Sequence, residues 1–178
     1  APGTWCAAAL VGAGAEREGG RGAAEAQARP GAPGCTTVLL RGLPRSWRRE
    51  ALIDLLDSRG YAGRFNFVYL PVDFETSEGT GYAFVNLTTV AAAECFKGFF
   101  DGFSGHPFSA SNACSTEWSR LQGLSANIKH YRNSPIMHKL VPDECKPVIL
   151  AHGVRRPFPK PTVELKEARK HRVRRSEA

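Results

Sequence analysis

Residues 80–87 read Thr-Gly-Tyr-Ala-Phe-Val-Asn-Leu, and the alternation inside this stretch decides the fold. Successive side chains of a strand point to opposite faces, so Ala83 and Val85 share one side while Tyr82 and Phe84 share the other. Small and aliphatic residues suit a face that packs on helices. The two rings then stand side by side on the remaining face, about 6.6–6.8 Å apart along the strand. Gly81 leaves space beside them for another chain's backbone to approach. A strand with one greasy face and one aromatic face belongs to a sheet covered on a single side.

Working outward, the same alternation recurs. Thr36-Thr-Val-Leu-Leu-Arg41 is predicted as a strand, ended by Gly42-Leu-Pro44, with Val38 and Leu40 in the core and Leu39 and Arg41 on the open side. Ser46 is a candidate N-cap for a helix whose Trp47, Ala51, Leu52, Leu55 and Leu56 recur at helical spacing before Gly60. Phe65-Asn-Phe-Val-Tyr-Leu70 is a second strand stopped by Pro71. Strict alternation puts Phe65, Phe67 and Tyr69 on one of its faces, and which face that is stays open. Thr88 or Thr89 caps a second helix with a buried stripe of Ala92, Cys95, Phe96, Phe99 and Phe103. A weaker fourth strand lies around Cys114 to Arg120. The order βαββαβ gives an α+β, ferredoxin-like sandwich: a four-stranded antiparallel sheet with two helices on one face and the other face open.

An exposed pair of rings is a platform for unstacked bases, each stacked base being worth about 1–3 kcal/mol. The octet 80–87 resembles the RNP signature of RNA-recognition motifs, basic-Gly-aromatic-Gly/Ala-aromatic-Val-x-aromatic, and keeps both stacking rings. Thr80 stands where that signature has a basic residue, and Leu87 where it has a last aromatic. Val38-Leu-Leu-Arg-Gly-Leu43 resembles the partner motif on the first strand, with Leu39 in place of a third ring. A longer set of in-order matches is narrower: Thr36–Pro44, Phe65–Phe74, Gly81–Asn86, Arg120-Leu-Gln-Gly123, His130-Tyr-Arg-Asn-Ser134 and Lys146-Pro-Val-Ile-Leu150. Together they look like the C-terminal RNA-recognition motif of Mei-two-like proteins, RNA-binding regulators of meiosis and development. That resemblance implies a domain over residues 35–150, extended by a helix around Leu124 to Asn133. It also implies single-stranded RNA as the partner. Family members carry two further motifs upstream, none of which is visible here, so the chain reads as a fragment or a single-domain member.

The RNA-contacting set expected on these grounds is Tyr82, Phe84, Leu39, Arg41, Phe67, Tyr69, Thr80, Arg120 and Lys129. Burial of Tyr82 and Phe84 beneath the extra helix is the bland alternative, and a solvated charge is the bland alternative for Arg120. Lys129, His130 and Arg132 contact RNA leaving the sheet, or only solubilise a helix whose Leu124, Ile128 and Tyr131 pack inward. Trp118 reads as core.

Charge is unevenly spread. The chain carries 24 Lys and Arg against 17 Asp and Glu, a net +7. Nine basic and three acidic residues fall in 155–178, so that segment holds +6 of it. Residues 1–34 are Gly/Ala-rich and sum to zero, and read as a disordered segment. Residues 151–178 read as a basic, Pro-containing tail, in which Arg169-Lys-His-Arg-Val-Arg-Arg175 is dense enough to hold phosphates or serve as a nuclear-import patch. The five cysteines are odd in number and lack metal-clip spacing, so free thiols in a reducing compartment are expected; nuclear or cytoplasmic residence and a monomer are expected as well. No apolar run reaches the roughly 18 residues of a membrane span. The five histidines show no ligand spacing, and no nucleophile elbow or phosphate loop occurs, so neither an enzyme nor a cofactor is expected. The competing class is a protein–protein interaction module on the same fold with weak or no RNA binding, for which the missing ring at Leu39 and the lost basic residue at Thr80 speak.

Overall fold

The computed structural model describes residues 34–73, 76, 78–105 and 113–166. The expectations for the Gly/Ala-rich start and for the basic run 169–175 lie outside the described residues. In chain order the elements are β1 (Thr37–Arg41), α1 (Arg49–Leu56), β2 (Phe65–Tyr69), β3 (Tyr82–Leu87), α2 (Val90–Phe100), β4 (Ser115–Trp118), α3 (Leu124–Arg132), β5 (Val148–Ala151) and β6 (Val154–Arg156). All strands pair antiparallel in the order β4-β1-β3-β2-β5-β6. The ferredoxin-like core is as expected, but among the described residues the sheet has six strands rather than four. Two extra strands extend it beyond β2, so the boundary expected at residue 150 falls inside β5.

Parity in β1 and β3 follows the sequence: Val38, Leu40, Ala83 and Val85 are fully buried in the helix-side core. That core is completed by Leu52, Leu55 and Leu56 of α1 and by Ala93, Phe96 and Phe100 of α2. The stripe on α2 is therefore one residue out of phase with the expected one, leaving Cys95 exposed and Phe99 43% exposed. Thr89 caps α2 by accepting a hydrogen bond from the Ala92 N–H. Ser46 does not cap α1, whose N-cap is Arg48 without a side-chain bond. The chain leaves α1 through a wide helical turn, Asp57–Tyr61, in which Gly60 takes φ 83°.

In β2 the alternation breaks. The register slips between Phe65 and Phe67, a bulge that gives β2 one residue more than its partner there. Phe65 joins Val68 and Leu70 in the helix-side core, while the Phe67 ring stacks on Tyr131 of α3. The expected single row of Phe65, Phe67 and Tyr69 is thus split.

After α3 the chain turns through Pro135–Met137 and Asp143–Cys145 before pairing β5 with β2. Arg49 of α1, only 2% exposed, fixes this return. Its guanidinium donates to the carbonyls of Asp143 (2.6 Å) and Lys146 (2.7 Å) and to the carboxylates of Glu50 (2.6 Å) and Asp143 (3.1 Å). Asp143 also accepts two bonds from Arg155 of β6, at 2.6 and 2.7 Å. A buried guanidinium without such partners would be strongly destabilising, so Arg49 ties α1 to the return loop, and Arg155 adds an exposed contact from β6 to the same carboxylate. Cys35, Cys114 and Cys145 are buried and Cys95 is exposed.

Candidate functional site

Register places the open-face side chains in rows that run across the sheet. One row is Thr37, Asn86 and Phe67; the next is Leu39, Phe84 and Tyr69; the last pairs Arg41 with Tyr82. The rows differ sharply in exposure, and α3 is the reason.

The first row is sealed. Asn127, one turn before Tyr131 on α3, is 1% exposed and donates from Nδ2 to Thr37 Oγ1 (3.2 Å) and to the Gly123 carbonyl (2.7 Å). Thr37 Oγ1 also accepts from the Gly123 N–H (3.0 Å) and donates to Asn86 Oδ1 (2.7 Å). Gln122, just before α3, acts as a substitute strand at the start of β1. Its Oε1 accepts from the N–H groups of Thr36 and Thr37, both at 2.8 Å, and its Nε2 donates to the carbonyls of Thr37 and Ser119. Buried polar groups satisfied in this way fix one geometry. At the other end of α3, Tyr131 stacks on Phe67 at 5.6 Å and meets Tyr69 at 4.7 Å. Phe67 is consequently 0% exposed, and no base can reach it: its expected place in the site is corrected by the roof above it.

The other two rows remain accessible. Leu39, Tyr69, Tyr82 and Phe84 are half-buried and Arg41 is exposed. Tyr69 lies nearly parallel to Phe84, ring centres 6.4 Å apart, and Tyr82 meets Phe84 edge-on at 5.8 Å. The rings thus form one continuous aromatic surface rather than isolated contacts. Burial first, then the neighbouring Tyr131 and Tyr82, hold the Tyr69 phenol far above its usual titration range. Burial, then Tyr82, pushes the Tyr131 phenol up to about 12. Both are neutral hydrogen-bonding groups near neutral pH. Arg41 pairs with Glu117 of β4 at 3.4 Å, with both side chains about half exposed, a contact worth little on its own.

Between this platform and α3 runs a groove of about 880 Å³ whose walls include Leu39, Phe84, Glu117, Arg120 and His130. Arg120 is exposed at its rim, beside the platform. Lys129 is exposed on the other side of α3, where it lines a separate hollow, so it is not brought together with the rings. The Thr80 hydroxyl is engaged with the Pro71 carbonyl (3.1 Å) and holds the β2–β3 connection instead of facing the platform. Tyr131 packs inward as expected, but the ring it roofs is Phe67, whereas the sequence offered Tyr82 and Phe84 as the rings the extra helix would cover. The signal was there in the four-residue spacing of Asn127 and Tyr131, which sets a polar and an aromatic side chain on the same helical face. Trp118 packs against the core, as expected.

Among the described residues no helix is long and apolar enough to cross a membrane, and no cluster of three or more His, Cys, Asp or Glu could hold a metal.

Residues 35–132 match the family model for RNA recognition motif 2. The chain is similar to Protein MEI2-like 4 of Oryza sativa subsp. japonica, 30% identical over 129 residues, covering 70% of this chain and 13% of that protein. It is similar to Protein MEI2-like 5 of Arabidopsis thaliana, 32% identical over 114 residues, covering 64% and 14% respectively. The chain therefore spans about one seventh of the length of these relatives. Among solved structures, it is similar to the Rna15 RRM with bound RNA (GU), at TM-score 0.42 and 19% identity over 53% of this chain and 94% of that one.

Proposed function

The chain belongs to the RNA recognition motif 2 family, and we propose that it binds single-stranded RNA by stacking bases on Tyr82 and Phe84. The observation that carries this reading is the exposure of the two rows nearest the β3 start, next to a first row sealed by α3. One base lies on Phe84, flanked by Leu39 and Tyr69. A second lies on Tyr82, where the Arg41 guanidinium reaches the adjoining phosphate. Because the roof over Phe67 closes the platform at one end, the strand leaves through the groove past Arg120 and His130. Single strands are favoured because stacking needs splayed bases. The protein acts by binding rather than catalysis, as a monomer in post-transcriptional RNA regulation in the nucleus or cytoplasm.

Each stacked base contributes about 1–3 kcal/mol, so losing one ring weakens binding roughly 5- to 150-fold. The test is fluorescence anisotropy with short single-stranded RNAs, comparing the wild type with Tyr82→Ala/Phe84→Ala. Both side chains are half-exposed and can be shortened without opening the core. A double variant that binds as well as the wild type refutes the platform. No RNA binding by the wild type moves the function to a protein partner on the helical side, where Phe99 is 43% exposed.

A further inference from the structure

The row of side chains that carries the Phe84 contact does not end at Leu39. β4 lies outside β1, and its register sets Glu117 opposite Leu39, which faces Phe84 and then Tyr69. Parity gives Glu117 to the open face, because Thr116 before it is buried with its hydroxyl on the Lys97 carbonyl of α2 (3.1 Å). Neighbouring strands lie about 4.8 Å apart, so Glu117 stands about 10 Å from Phe84, backbone to backbone. A purine that rests on Phe84 and extends across Leu39 brings its far edge to this carboxylate. The fold asks little of Glu117. Its side chain is 60% exposed, and its contacts to Arg41 are long, 3.4 Å from Nε to Oε1 and 3.5 Å from Nη2 to Oε2. Such an ion pair adds little stability, and glutamate is a poor strand former. Both carboxylate oxygens keep acceptor capacity beyond Arg41.

Among the described residues that line the groove, Glu117 is the one acid, set beside Arg41, Lys97 and Arg120. Basic residues there suit phosphates, and a carboxylate repels them. What a carboxylate accepts is an N–H on the edge of a base. We propose that Glu117 makes the Phe84 position selective for guanine, its two oxygens accepting from the guanine N1–H and 2-amino group. The proposal rests on the RNA-binding reading above and names the base that this site selects. Guanine presents two adjacent donors on its Watson–Crick edge. Uracil offers one N–H between two carbonyl oxygens, which a carboxylate repels. The amino groups of adenine and cytosine each stand next to a ring nitrogen that is itself an acceptor. Arg41 on the far side of the carboxylate holds it towards the row and leaves its remaining lone pairs for the base.

The experiment measures the affinity of the wild type and Glu117→Gln for a set of short oligouridines. Each carries guanosine, inosine, adenosine, cytidine or uridine at one central position. A two-point contact to a base edge discriminates about 5- to 150-fold, and the exposure of Glu117 sets the expectation at the lower end. The wild type is expected to bind the guanosine RNA at least about fivefold more tightly than the uridine, adenosine and cytidine RNAs. Inosine keeps N1–H but lacks the 2-amino group, and is expected to fall between. Glu117→Gln is expected to erase the preference by weakening the guanosine complex about fivefold, without weakening the oligouridine complex. A merely structural role would weaken every complex alike. A wild type that does not prefer guanosine, inosine bound as tightly as guanosine, a preference that survives in Glu117→Gln, or a variant that shifts all RNAs equally overturns the guanine reading. Those results leave the platform standing. A wild type that binds none of the RNAs, or a Tyr82→Ala/Phe84→Ala variant that binds them as well as the wild type, overturns the platform and the guanine reading with it.

Discussion

Replacing Thr37 by Val keeps the shape of the side chain and removes one oxygen, so it isolates the polar seam under α3. Thr37 is 0% exposed, and its Oγ1 makes three hydrogen bonds, to Asn86, Gly123 and Asn127. Asn86 Oδ1 keeps a second donor in the Thr36 hydroxyl at 2.9 Å, and is not orphaned. The Gly123 N–H and one hydrogen of Asn127 Nδ2 are left without that acceptor. A buried polar group stripped of its partner costs about 1–3 kcal/mol, so Thr37→Val is expected to destabilise by about 2–4 kcal/mol. Asn127→Ala strands less, because Thr37 Oγ1 retains Asn86 and Gly123, but it also loses the bond to the Gly123 carbonyl and empties the space of a side chain only 1% exposed; its cost is expected to be comparable, about 2–4 kcal/mol. Urea denaturation followed by fluorescence reads both as shifts in midpoint at constant slope. A change below about 0.5 kcal/mol for Thr37→Val refutes the view that α3 is held on the sheet by this oxygen.

Further outcomes follow from the same geometry. Asp143 is held well below the usual carboxylate range by hydrogen bonds from Arg155, opposed by burial and aided by Arg49. Its stabilising contribution is therefore complete above about pH 4 and lost as pH falls below that, and Asp143→Asn is expected to flatten the acid limb of midpoint against pH. Tyr131 titrates at about 12, so its neutral form is favoured by folding and stability falls as pH rises from about 10 towards 12. Tyr131→Phe keeps the ring over Phe67 and is expected to make that alkaline loss shallower in the same assay. Gly42 has φ 82°, and a Cβ there would sit 2.8 Å from the Ala113 carbonyl oxygen. Gly42→Ala is expected to cost at least about 1–3 kcal/mol by thermal melt.

How much of this was legible depended on whether local pattern or long-range packing decided the outcome. β1 and β3 were readable because alternation is complete in both, and Tyr82 and Phe84 fall on the open face without ambiguity. β2 was not, because a bulge at Asn66 leaves no mark in residue type, and it sent Phe65 and Phe67 to opposite faces. On α2 the run Ala91-Ala-Ala93 and the crowd of Phe96, Phe99 and Phe100 fit two adjacent helical phases, and only the sheet selects between them. The β5–β6 hairpin was missed because its turn is His152-Gly153, both at positive φ (51° and 76°), where Asn-Gly or Asp-Gly would have announced it. Phe67 could not be discounted as a contact residue before Tyr131 was known to cover it, since a helix 60 residues further on carries no local signature at β2.

On the proposed reading the nucleotide lies on the open face and, within it, on the two uncovered rows. Backbone and side-chain chemical-shift mapping on titration with short random single-stranded RNAs tests it directly. The largest changes are expected at Leu39, Arg41, Tyr69, Tyr82 and Phe84, with weaker ones at Arg120 and His130, and none at Asp54 of α1 or Glu94 of α2. Shifts concentrated on α1 and α2, with Tyr82 and Phe84 silent at saturation, contradict it.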